Sequence, residues 1–324
     1  MKLCKGAVLA LAISYGLIYC HTNKSKFMLE QKGDSLTLIH ITNPTNYILL
    51  PIEEEAEESW VRLDIGDAAD TDMDIRLAQT KVDYWVPFVL PADAKTVTVR
   101  VQKSLGDALC WKEMKLSDTF DPSHTDKFRP VYHHAPLYGW MNNANGLVYE
   151  DEEYHLYYQY NPYGSKWGNM HWGHSISKDL MHWEHLAPAI VRDTLGHIFS
   201  GSSIVDQENV AGYGTGTILA FYTSASDKNG QIQCLAYSND NGRTFTKYDK
   251  NPILRSSDRR KDFRDPKVFW YAPGNKWIMI VAADKEMCFY DSEDLKDWNY
   301  MSSFGEGYGV QPCQFECPDM VELP

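Results

Sequence analysis

The sequence runs to 324 residues, 44% hydrophobic and 13% aromatic, which is enough to bury a substantial core in two domains and excludes a disordered tail. Acidic residues outnumber basic ones 44 to 31, for a formal charge of -13. That balance argues against a nucleic-acid backbone as partner, which needs clustered Lys and Arg, and is compatible with a neutral polysaccharide or simply with solubility.

The chain opens with Lys2 and Lys5 ahead of an apolar run over residues 6–19. This reads as a secretory signal over residues 1–20, too short and too early for a spanning helix, so export to the periplasm, the cell surface or the medium is expected. Leu17-Ile18-Tyr19-Cys20 resembles a bacterial lipobox in which Cys20 would carry a lipid and anchor the protein to a membrane, although Tyr19 stands where a small residue is usual. Lipidation of Cys20 and simple cleavage nearby are both open. No later segment is apolar enough to cross a bilayer.

Strand signals dominate from there on. Residues 36–41, 96–101, 154–160, 218–222 and 277–281 are short and rich in β-branched or aromatic side chains, and no helical apolar period lasts beyond about two turns. Regular spacing and turns such as Asn239-Asp240-Asn241-Gly242 suggest a sandwich or a propeller. Residues 175–183, 238–245 and 291–298 repeat a Ser/Asp, turn, aromatic pattern whose spacing fits one four-stranded propeller blade per period, each turn joining outer strands. The stretch 122–130, with Ser, His, Asp and Lys between Pro122 and Pro130, is the best linker candidate. It divides a sandwich-like domain over 24–121 from a propeller over 131–324.

Beyond the signal, Cys110, Cys234, Cys288, Cys313 and Cys317 form an odd, scattered set that reads as structural thiols rather than a disulfide framework. His171 with His174, and His182 with His185, share an i, i+3 spacing, but on strands or turns this does not put both rings on one face. Neither a metal nor another cofactor is expected.

The motif Trp140-Met141-Asn142-Asn143-Ala144-Asn145-Gly146 resembles the signature Trp-Met-Asn-Asp-Pro-Asn-Gly of glycoside hydrolase family 32, the invertases, inulinases and levanases that cleave β-fructofuranosides. Further matches follow in the family's order: Tyr158-Gln159-Tyr160-Asn161-Pro162, Trp167-Gly168-Asn169-Met170-His171-Trp172-Gly173-His174, Phe199-Ser200-Gly201-Ser202, Phe263-Arg264-Asp265-Pro266 and Glu316-Cys317-Pro318. The resemblance covers Arg129 onward. The preceding region resembles an accessory domain of some bacterial members, on the pieces 47–54 and 82–87. It implies an all-β chain with a β-sandwich-like domain before part of a five-bladed propeller. From Arg129 there is sequence for only about three blades, so the ring is expected to stay open and to expose strand edges, as if truncated.

Retaining glycosidases use two carboxyl groups about 5 to 5.5 Å apart, one attacking the anomeric carbon and one protonating the leaving oxygen. The resemblance places these at 143 and 316, with Glu316 as acid/base and Asp265 as stabiliser of the oxocarbenium-like transition state. It also assigns Trp140, Asn142, Gln159, Trp167, Phe199, Ser200 and Arg264 to the sugar, supplying directional hydrogen bonds and an aromatic wall. Residue 143 departs from the family: an amide carries no negative charge, and losing such a group costs about 10⁴-fold to 10⁶-fold in rate. The implied partner is a fructan or sucrose, bound by a site in which catalysis is impaired. The alternatives are an active fructan hydrolase that uses a water or a neighbouring carboxylate in place of residue 143, a non-catalytic fructan-binding surface protein and a decayed gene product.

Overall fold

The computed structural model describes residues 18–20, 26–64, 72–91, 93–102, 106–122, 129–258, 260–305, 307–310 and 313–321. The signal reading of residues 1–17, the Cys20 side chain and most of the linker reading (123–128) lie outside them. The chain divides into two compact units, residues 1–120 and 121–324.

Four strands of the first unit bury every second residue. Strands β1 (Ile18–Cys20), β2 (Lys26–Lys32), β3 (Leu36–Thr42), β4 (Tyr47–Ile52), β5 (Ser59–Asp64), β6 (Asp72–Ile75), β7 (Tyr84–Val89), β8 (Thr96–Gln102) and β9 (Lys115–Ser117) form two sheets, ordered β1-β2-β3-β8-β5-β6 and β7-β4-β9. Ile39 and Ile41 on β3, Val97, Val99 and Val101 on β8, and Val61 on β5 are almost wholly buried, as the two-residue period of a half-buried strand requires. The one α-helix among the described residues is the short α1 (Cys110–Glu113).

Glu53 follows β4 and is buried, yet it is no orphan. Its Oε2 accepts the backbone N–H groups of Gln79 and Thr80 at 2.8 Å each, and its Oε1 accepts the Thr80 hydroxyl at 2.8 Å. The carboxylate thus anchors the 79–81 turn to the end of β4. Hydrogen bonds from the Thr80 backbone and hydroxyl hold it down at about 2, against the opposing effect of burial.

The second unit is a stack of three blades. The first contains β10 (Trp140–Glu150), β11 (Glu153–Asn161), β12 (His171–Ser177) and β13 (Glu184–Ile190), each pairing antiparallel with the next. The second contains β14 (His197–Asp206), β15 (Thr217–Ser226), β16 (Gly230–Ser238) and β17 (Thr246–Lys247), with β18 (Leu254–Arg255) also on β16. The third contains β19 (Phe263–Tyr271), β20 (Lys276–Ala283), β21 (Glu286–Ser292) and β22 (Asn299–Phe304). Strand β15 shows why they stack. Its Ala220 and Tyr222 pack with Tyr157, Trp172 and Ile190 of the first blade, while Leu219 and Phe221 pack with Phe263, Met279 and Val281 of the third. A strand buried on both faces has no polar face to show, and this one is apolar through its centre.

The repeated Ser/Asp pattern forms the turns before the outer strands. Ser177 Oγ accepts the Leu180 amide at 2.8 Å, and Ser292 Oγ accepts the Leu295 amide at 2.9 Å. Asp179 and Asp294 then accept the next amides, and Leu180 and Leu295 sit in the left-handed region at φ 63° and 64°.

The Glu53 anchor gives a pH-dependent stability. Its folded pKa lies below the unfolded one, so its contribution is complete above about pH 4.3 and is lost as pH falls toward about 2. Urea unfolding of the first unit, followed between pH 6 and pH 2, should show wild type more stable than Glu53→Gln by on the order of 2 kcal/mol at pH 6, with the difference closing at the acid end.

Candidate active site

The innermost strand of each blade breaks its ladder near its start. Register shifts fall between Met141 and Ala144 on β10, between Ile198 and Gly201 on β14, and between Arg264 and Lys267 on β19. The residues set free from pairing are Asn142 and Asn143, Phe199 and Ser200, and Asp265 and Pro266. A bulge re-aims side chains that regular pleating would send to alternate faces, and the three bulges deliver five candidate residues, Asn142, Asn143, Phe199, Ser200 and Asp265. Local sequence explains two of them. A Cβ at Gly201 would stand 1.9 Å from the Phe221 carbonyl oxygen, so only glycine fits. Asp265 adopts φ 62°, a left-handed conformation that Asp tolerates better than most residues, and Pro266 has no N–H to lose where the ladder is interrupted.

The freed side chains are linked. Gln159 on β11, buried, donates through Nε2 to Ser200 Oγ at 2.5 Å. The Asn143 amide nitrogen lies 3.5 Å from the same Ser200 oxygen and 3.3 Å from Cys317 Sγ. The Cys317 backbone N–H donates to Asp265 Oδ2 at 3.0 Å. Arg264 Nε stands 3.7 Å from that oxygen, its Nη2 donates to Glu316 Oε1 at 2.7 Å, and its Nη1 bonds Asp262. One guanidinium therefore serves three carboxylates. Asp265 is buried, and burial pushes its carboxyl above the usual range even though the Cys317 amide and Arg264 favour the charged form. The Glu316 side chain is 58% exposed.

Trp167 is 52% exposed, its ring stacked on His197 with centroids 5.7 Å apart and set edge-on to Phe199 at 6.0 Å. These rings form an aromatic wall. Asn142 Oδ1 is buried with no hydrogen-bond partner among the described residues. Trp140 opens β10 opposite Asn161, half-buried.

Four residues in this network had no site role expected from sequence. Asp262 and His197 lie outside the quoted motifs, Cys317 stands out only as the neighbour of Glu316, and Thr223 reaches the backbone of Asp265 from the second blade at 2.9 Å. The histidine pairs go elsewhere: His174 pairs with His155 at 3.1 Å, His182 with Asp179 and His185 with Ser175. Among the described residues no three His, Cys, Asp or Glu side chains converge as metal ligands, and the five cysteines Cys110, Cys234, Cys288, Cys313 and Cys317 are free thiols.

Three antiparallel blades, with Arg264 linking Asp265 and Glu316, define a β-propeller segment with a candidate site at its inner strands. Residues 133–324 match the N-terminal domain of glycosyl hydrolases family 32, and the chain belongs to that family. Residues 33–132 match a domain of unknown function, DUF4980. The chain is similar to the levanase of Bacillus subtilis, 51% identical over 213 residues that cover 64% of this chain and 31% of the levanase. It is 37% identical to the extracellular exo-inulinase of Aspergillus awamori over 239 residues, covering 65% and 44% of the two chains. Among solved structures, the β-fructofuranosidase from Schwanniomyces occidentalis complexed with fructosyl-erythritol superposes with a TM-score of 0.57 at 40% identity, covering 60% of this chain and 40% of that one. The chain thus spans between about a third and a half of the length of these relatives.

Gly201 offers a test of the bulge. Gly201→Ala forces a methyl group against the Phe221 carbonyl, and thermal unfolding should show the second unit destabilised by about 2–4 kcal/mol, with the first unit unchanged.

Proposed function

We propose that the site binds the terminal fructosyl unit of a fructan or of sucrose, and that hydrolysis by the retaining route is impaired at residue 143. The observation that carries this reading is the company Asn143 keeps. Its neutral amide contacts Ser200 and Cys317 within a network of Gln159, Asp265, Arg264 and Glu316 that otherwise follows the family's motifs.

In the intact reaction a carboxylate at 143 would attack the anomeric carbon while Glu316 protonates the departing oxygen, then takes a proton from water. Asp265 would stabilise positive charge on the ring. Asn142, Gln159, Ser200 and Arg264 would hold the sugar hydroxyls, and Trp140, Trp167 and Phe199 its apolar face. An amide cannot form the covalent fructosyl intermediate efficiently and offers no charge to the oxocarbenium-like state. Binding then outlives turnover. In this reading residues 24–121 are an accessory domain, joined through a 122–130 linker to the propeller segment 131–324. Export agrees with the N-terminal signal pattern and with the extracellular exo-inulinase among the relatives, and Cys20 is the candidate anchor.

A second reading, retention as a fructan-capturing surface protein, is favoured by the same amide together with the export pattern. Fructose release from levan, inulin and sucrose should be measured for this chain and for Asn143→Asp, with Glu316→Gln as blank. The expected result is release near the blank from the parent chain and a rise of about 10³-fold or more in Asn143→Asp. Release from the parent well above the blank would overturn the impairment. Levan binding without turnover in the parent would support capture.

A further inference from the structure

Strand β19 is the innermost of its blade and, among the described residues, pairs only with β20, yet the backbone around its bulge is satisfied by side chains of the second blade. Phe263 N–H donates to Gln231 Oε1 at 2.8 Å, and the Phe263 carbonyl accepts Gln233 Nε2 at 2.6 Å. Asp265 N–H donates to Thr223 Oγ1 at 2.9 Å, and Thr223 Oγ1 in turn donates to Gln233 Oε1 at 2.8 Å. A closed circuit results: the Asp265 amide, the Thr223 hydroxyl, the Gln233 carboxamide and the Phe263 carbonyl bracket Arg264 from both ends. Thr223 and Gln233 are fully buried cross-strand partners on β15 and β16. Ser202 on β14 extends the seam, donating to the Pro266 carbonyl and accepting the Val268 N–H, each at 2.9 Å.

We propose that Thr223 and Gln233 are positioning residues for the fructoside site: they hold Asp265 in its left-handed conformation, with its carboxylate under the Cys317 amide and its neighbour Arg264 aimed at Glu316. A non-glycine residue at φ 62° persists only where its surroundings over-determine it. Here three hydrogen bonds from a separate sheet do so. Neither residue touches the site's side chains directly, so their effect passes through the backbone of residues 263–265. The ligand-binding consequence rests on the fructoside reading above; the positioning itself does not.

The test exploits the Cys317 N–H, which reports where the Asp265 carboxylate sits. The sequence has seven cysteines, so selective ¹⁵N-cysteine labelling gives few amide signals, and Cys317→Ser assigns the one of interest. Thr223→Val keeps the side-chain shape and removes the hydroxyl, whereas Thr223→Ser restores it. In Thr223→Val the Cys317 amide should move upfield and exchange with deuterium about 10-fold faster, while the Cys110 and Cys288 amides keep their wild-type protection. Thr223→Ser should return the Cys317 amide toward its wild-type position. An unchanged Cys317 amide in Thr223→Val overturns the proposal, as does an equal loss of protection at Cys288, which would mark general loosening. Binding of a levan oligosaccharide forms the second arm. Thr223→Val should weaken it about 10-fold in the parent chain and not at all in an Asp265→Asn background. Equal losses in both backgrounds would mean that Thr223 does not act through Asp265. If the parent chain binds no levan oligosaccharide, the fructoside reading fails while the amide readout still decides the positioning.

Discussion

The innermost strand of a propeller blade has only one neighbour in its own sheet, so backbone groups on its free side must find partners elsewhere or lose hydrogen bonds that burial makes costly to forgo. The second unit meets this constraint with side chains lent by the preceding blade. Trp172 Nε1 donates to the Phe199 carbonyl, Ser202 serves Pro266 and Val268, and Thr223, Gln231 and Gln233 serve Phe263 and Asp265. Because these partners are side chains rather than another strand, the inner strands are free to bulge. The bulges in turn place Asn143, Ser200 and Asp265 within one hydrogen-bonded network.

Electrostatics inside that network is organised by a single cation. Arg264 is nearly buried and reaches Asp262, Asp265 and Glu316, which would otherwise crowd like charges into one corner. Its planar fork suits this task in a way that a lysine ammonium would not. Residue 143 contributes no charge, so the cation is shared only among the acids on the third blade and beyond it. The amide of Asn143 instead donates toward a sulfur and a hydroxyl, contacts weaker than those a carboxylate would command.

Much of this was legible in the sequence. The Ser/Asp turn repeats at 175–183, 238–245 and 291–298 announced the blade period, and in the structure Ser177 and Ser292 accept the amides of leucines in left-handed conformations. Short β-branched and aromatic runs such as 218–222 marked the strands, and two of the ordered motifs supply Asp265 and Glu316, which Arg264 links in the structure. The resemblance brought 143 and 316 together, but the contacts that Cys317 itself makes with Asn143 and Asp265 were not legible, because they depend on the backbone path after Glu316. Gln231 and Gln233 left only a faint sign, two amides alternating in the buried strand β16, whose meaning depends on which strand lies opposite. Glu53 opens the acidic run Glu53-Glu54-Glu55, and only the fold of the 79–81 turn over it shows why it is buried.

The contact between Asn143 and Cys317 spans 174 residues of chain. Closing so long a loop in a flexible polymer is entropically unfavourable, though the cost grows only logarithmically with length. Three blades between the two residues replace that flexible loop with a rigid spacer, so the closure is achieved by stacking rather than by chance encounter. During synthesis the residues of the first blade emerge well before residue 317. The contact between the two residues therefore cannot form until all three blades have been synthesised.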